Sequence, residues 1–143
     1  MATFYKFNAF VEHLAEKTHN LGTDVLKIAL TDTASSPTAA NSVLADLTTV
    51  STTNISPATS LNLSPTSSAQ TSGTYKLVVA DNVLTAANGS VGPFRHVVIY
   101  NSSAVSPVNA LIGWYDYGSS ITLAQGETLT LDFDQTNGLL TLA

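Results

Sequence analysis

The apolar positions change period twice along this chain. Phe7, Phe10, Val11 and Leu14 recur at three- and four-residue spacing, with Glu12, Glu16 and Lys17 between them. That period predicts a helix over Asn8 to Leu21, with Asn8 as the N-cap and Gly22 as the stop. From Asp24 to Thr31 the period shortens to two. Leu26, Ile28 and Leu30 face one way and Val25, Lys27 and Ala29 the other, which reads as a strand.

Periodicity then lapses. From Asp32 to Gly73 the chain is rich in Ser, Thr and Asn and is broken by Pro37, Pro57 and Pro65. Loops this long are uncommon inside compact domains. The stretch 32–73 therefore reads as irregular edge strands and an extended arm or insertion, with Ser42 to Val50 as its ordered anchor.

Alternation returns in Thr74 to Ala80, Asn82 to Ala86, Phe94 to Asn101, Ala110 to Tyr117, Glu127 to Asp134 and Gly138 to Ala143. Gly, Asn and Pro separate these runs, the signal of an all-β sandwich or barrel. At the C-terminal end, Leu129, Leu131 and Phe133 are expected inward, and Thr128, Thr130, Asp132 and Asp134 outward. An Asn137-Gly138 turn at positive φ would complete a terminal meander. The expectation is one all-β domain over residues 1–143, a jelly-roll-like antiparallel β-sandwich with one short N-terminal helix.

Composition adds a partner class. Charged residues make up 10% of the chain, against about 25% in an average soluble protein. Its polarity comes from 16 Ser, 20 Thr and 10 Asn. Such a surface has little repulsive charge to keep copies apart and loses little on desolvation, which favours life in an assembly. The net charge is −5, and the five basic residues Lys6, Lys17, Lys27, Lys76 and Arg95 are scattered singly. No basic stripe exists for nucleic acid or an anionic membrane. There is no cysteine, and Lys6, Glu12, Glu16 and Lys17 interrupt any apolar core of a secretory signal, so a soluble chain made in the cytoplasm is expected.

Candidate chemistry is sparse. Leu30 to Ser35, LTDTAS, resembles the aspartic-protease turn, but Ala34 stands where that turn wants Gly, and a strand-ending aspartate explains Asp32 equally well. Asp132 and Asp134 match the first and third positions of a calcium loop, yet Asn137 holds the sixth and Ala143 the twelfth. His13 and His19 are six apart, off the face that a helical zinc pair needs, and His96 lies in a strand. The run GWYDY puts Trp114 with Asp116 and Tyr115 with Tyr117 on alternate faces, suited to core, to a protein contact, or to stacking a glycan. These residues predict no enzyme, no metal and no cofactor.

The blocks FYKFNAFVEHLAEKTHNLGTDVLKIALTDT, TSGTYKLVVADNVLTAANGSVGPFRHVVIYN and LIGWYDYGSSITLAQGETLTLDFDQTNGLLTLA resemble a family of small virion structural proteins of tailed bacteriophages, most like capsid decoration (cement) proteins. The resemblance implies a non-enzymatic protein on the capsid surface, binding the major capsid protein and itself as a dimer or trimer. Avidity over many attachment points would multiply modest contacts. The interface candidates are Phe7, Phe10, Val11, Trp114, Tyr115 and Tyr117. The alternative is a tail or fibre-associated protein that holds a host glycan through the aromatic strand.

Overall fold

The structure, a computed structural model, describes residues 2–143. Its strands are β1 (Thr3–Lys6), β2 (Leu26–Thr31), β3 (Pro65–Thr71), β4 (Thr74–Val79), β5 (Asn82–Thr85), β6 (Val91–Val105), β7 (Val108–Leu123), β8 (Thr128–Leu131) and β9 (Leu140–Leu142). One helix, α1, spans Ala9–Ala15. The strands form an antiparallel sheet in the order β1-β7-β6-β2, a second in the order β3-β4-β9, and the pair β5-β8. This is an all-β sandwich with one short helix.

The long β6–β7 hairpin carries the first sheet, and its register explains the core. Leu30, Val97, Tyr115 and Phe4 form one row across the four strands; Ala29, Val98, Trp114 and Tyr5 form the next. Neighbouring rows point to opposite faces. The first row meets the main core, whose other wall includes Leu77 and Val79 of β4 and Leu84 of β5. On the opposite face Ala29, Val98 and Trp114 join Phe7, Leu47 and Leu111 in a second cluster. Because the sheet is covered on both faces, β2 buries Ala29 and Thr31 as well as Leu26, Ile28 and Leu30.

The helix is shorter than its periodicity predicts. Lys17 adopts φ 67°. Thr18 N–H then donates to the His13 carbonyl at 2.8 Å and Lys17 N–H to that of Leu14 at 3.4 Å. This is a Schellman termination with lysine where glycine is usual, and it stops the helix well before Gly22. Asn8 has helical backbone angles, and its side chain caps nothing. Seven residues are two turns, so Phe10 is the helix's one buried position, while Val11 is 56% exposed.

Segment 32–73 does not stand off as an arm; it wraps the body, because its few large apolar residues reach the core. Leu47, Ile55 and Leu63 are buried. Val50 N–H donates to the Leu30 carbonyl at 2.7 Å and Leu63 N–H to that of Leu26 at 2.9 Å, both on the free edge of β2. Ser56 N–H donates to Thr85 at 3.1 Å, which covers the edge of β5. The Ser42–Val50 anchor holds through a bridge from Val43 to Ala110 and a 3-10 turn at Leu44–Asp46. There the Asp46 carboxylate accepts from Ser42 N–H at 2.7 Å and Val43 N–H at 3.2 Å. Only β3 is extended, joined to β4 by Ser72 and Gly73 at φ 51° and 86°, a type I′ hairpin.

The chain's final strands are not a hairpin with each other. β8 pairs with β5 and β9 with β4, so the link between them crosses from one sheet to another. Asp134 organises that crossing: its Oδ1 accepts from Thr136 N–H at 2.8 Å and Asn137 N–H at 2.7 Å. Of the Asn-Gly pair only Gly138 takes a positive φ, 86°. The expected facing is present, with Phe133 buried, Leu129 and Leu131 half-buried, and Thr128, Thr130 and Asp132 exposed; Asp134 is half-buried.

Candidate functional site

Two residues beyond the Ala29–Val98–Trp114–Tyr5 row, on the same face, Thr31, His96, Asp116 and Thr3 form a polar row. The register of β7 slips here: Asp116 faces His96 and Ile121 faces Phe94, so Tyr117 to Ser120 bulge opposite Arg95. Arg95 clamps Asp116 with two of its three nitrogens, Nε at 2.7 Å and Nη2 at 2.9 Å. Gly118 N–H adds a third donor at 2.8 Å. The Arg95 hydrogen bonds, then Gly118, hold the Asp116 carboxyl down at about 2.

His96 is buried, its Nδ1 lying 3.3 Å from Thr31 Oγ1 and its Nε2 3.9 Å from Asp116 Oδ1. Burial lowers its pKa, and the Asp116 charge opposes that only in part. Ser120 Oγ donates to Asp32, whose pKa is lowered by that bond and by the Thr33 backbone. Serine, histidine and aspartate therefore share one end of the sheet without forming a nucleophile–base pair. Ser120 is committed to Asp32, His96 to Thr31, and Asp116 to Arg95, whereas nucleophilic catalysis needs the hydroxyl on the imidazole. Asp32 likewise has no second carboxylate sharing a proton with it, since Asp116 is neutralised by its guanidinium.

On the opposite face of the sheet from this row, a cavity of about 580 Å³ opens between the first sheet and the β8–β9 crossing. Its walls are apolar, with Phe4, Phe94, Tyr115, Leu131 and Phe133 among them, and Arg95, Asp132 and Asp134 also line it. Burial, followed by the Asp134 charge, pushes the Tyr115 hydroxyl up to about 12. Asp134 is occupied by its own turn, including Asn137 Nδ2 at 2.7 Å. Among the described residues, no three His, Asp or Glu side chains come together as a metal-ligand set.

A third cluster was hidden by sequence spacing. Chain reversal at Lys17 brings the rings of His13 and His19 to 5.8 Å. Asn101 Nδ2 lies 3.1 Å from His19 Nδ1 and 2.6 Å from Asp24 Oδ2. Burial, and then His13, lower the His19 pKa to about 4 against the opposing pull of Asp24. His13 Nδ1 and His19 Nε2 are buried without partners. The signal in the sequence was the need for a turn after the helix, which the unbroken polar run Lys17-Thr18-His19-Asn20 does not advertise.

The interface candidates divide by burial. Phe7, Phe10 and Trp114 are 0%, 2% and 8% exposed, so they are core and not free contact surface. Tyr5 stacks on the Trp114 ring at 5.1 Å and Phe7 packs on it at 4.6 Å, which leaves the indole no open face for a sugar. Tyr115 is half-buried, and Val11 and Tyr117 remain exposed. Tyr5, 44% exposed, is an aromatic surface outside that set.

No protein-family model, curated protein or solved structure matches this chain. Among the described residues no helix is long and apolar enough to cross a membrane.

Proposed function

We propose that the chain is a non-enzymatic virion structural protein of a tailed phage that decorates and stabilises the capsid, binding coat subunits as a homo-oligomer. The observation that carries this reading is the character of the surface between Asp46 and Lys76, a run without one charged side chain that ends in a fully exposed strand, β3. Such a surface loses little on desolvation and repels no neutral partner. The polar row at Asp116 supports the reading from the other side, since each group there is held by another protein group. The resemblance of the opening, middle and closing blocks to phage virion proteins supplies the setting.

Co-sedimentation of the purified chain with empty capsids of the encoding phage tests this. Saturation at a fixed copy number per capsid is the expected result. A chain that ignores capsids and binds host cells, with binding lost on Tyr117→Ala, would move it to the tail, where the exposed tyrosine of the aromatic strand would carry the glycan contact.

A further inference from the structure

Every sheet edge but one is closed or blunted among the described residues. Val50 and Leu63 cover β2, and Ser56 covers β5. β1 has four residues and ends in Lys6, β8 has four between Glu127 and Asp132, and β9 has three. Short length, flanking charge and covering segments are the usual devices against edge-to-edge pairing. β3 has none of them. All seven of its residues, PTSSAQT, are exposed and uncharged, its one proline stands first, and its one irregularity lies between Pro65 and Ser67.

The hairpin fixes which backbone groups are free. A two-residue type I′ turn makes Thr71 and Thr74 a hydrogen-bonded pair. Alternation along the antiparallel ladder then directs Ala69 and Ser67 toward β4, and the N–H and C=O of Ser68 and Gln70 outward.

We propose that β3 is an assembly edge that pairs antiparallel with β3 of a second copy, merging two three-stranded sheets into one of six. The occupant follows from charge. The chain carries −5 overall, but β3 carries nothing, so self-pairing about a two-fold axis opposes no like charges. A partner selected by charge would find none to read. This deepens the homo-oligomer part of the assembly reading and rests on that reading for its setting.

Sedimentation velocity across a concentration series of the full chain tests it without capsids. Wild type is expected to approach twice the 14.9 kDa chain mass. Ser68→Pro deletes an outward N–H and leaves the β3–β4 ladder intact; Gln70→Lys charges the edge, keeps every ladder hydrogen bond and gives up only the bond that Gln70 Oε1 accepts from Gly73 N–H in the turn, at 3.1 Å. Each is expected to keep the wild-type far-ultraviolet circular dichroism and to weaken dimerisation about tenfold or more. If the proline variant unfolds, the lysine variant decides. A monomer at every concentration, or any oligomer that Gln70→Lys leaves unchanged, overturns the proposal. A monomer that still saturates capsids sinks this edge and spares the capsid reading; a β3 dimer that ignores capsids does the reverse.

Discussion

Residues 47–63 and 64–73 belong to one uncharged Ser/Thr-rich run, yet the first part is bound to the body and the second lies open to solvent. The difference lies in three side chains. Leu47, Ile55 and Leu63 recur every eight residues and all are buried; the next position in that spacing is Thr71, which is exposed. Each buried Leu or Ile stabilises its placement by roughly 1.5–3 kcal/mol. From Ser64 to Gly73 no large apolar side chain occurs, so backbone pairing with β4 holds the strand instead. Composition alone does not separate a wrapped segment from an open edge; the spacing of a few anchors does.

The contrast can be broken at an anchor. Leu63→Ala should destabilise the protein by about 2–5 kcal/mol and free the edge of β2, whereas Thr71→Ala should stay within about 0.5 kcal/mol; chemical denaturation measures both. Gly113→Ala acts outside the run. A Cβ there would clash with Cζ and Cε2 of Phe4 and stand 2.6 Å from the Tyr5 carbonyl oxygen, so β1 must shift. A loss of about 1–3 kcal/mol is expected, with the difference between the two halves of the run preserved.

Acid should act in the same uniform way. The folded pKa of His19, about 4, lies below its unfolded value of 6.5, so the unfolded chain takes up the proton first. The stability contributed by neutral His19 is complete above pH 6.5 and is lost as pH falls toward 4. His19→Gln should flatten that slope in thermal melts across this window. The one gain is modest: Lys17→Gly relieves the left-handed backbone at φ 67° and should stabilise by about 1 kcal/mol in the same assay.

Much of this fold was legible because strands with a regular alternation announce themselves. All six strands expected after Gly73 are present, although β6 and β7 run longer than their apolar cores suggest. The helix end was illegible because its stop uses a lysine in a glycine conformation. β3 was illegible as a strand because PTSSAQT has no apolar alternation to read; its one local cue is the Ser72-Gly73 turn. Trp114 stood open between core, protein contact and glycan stacking because a strand sequence does not reveal that Tyr5 and Phe7 return over it. The polar row depends on register between β2, β6 and β7, which no local pattern encodes. His96 and Asp116 therefore had no visible connection until the bulge at Tyr117–Ser120 was in place.

Hydrogen exchange resolved along residues 47–73, recorded at low and high protein concentration, tests the central claim most directly. The account expects the amides of Val50, Ser56 and Leu63 to be protected at both concentrations. Those of Ser68 and Gln70 should exchange freely in the dilute chain and become protected as copies pair. Ser68 and Gln70 amides that exchange freely at every concentration, or that are protected already in the dilute monomer, would contradict it.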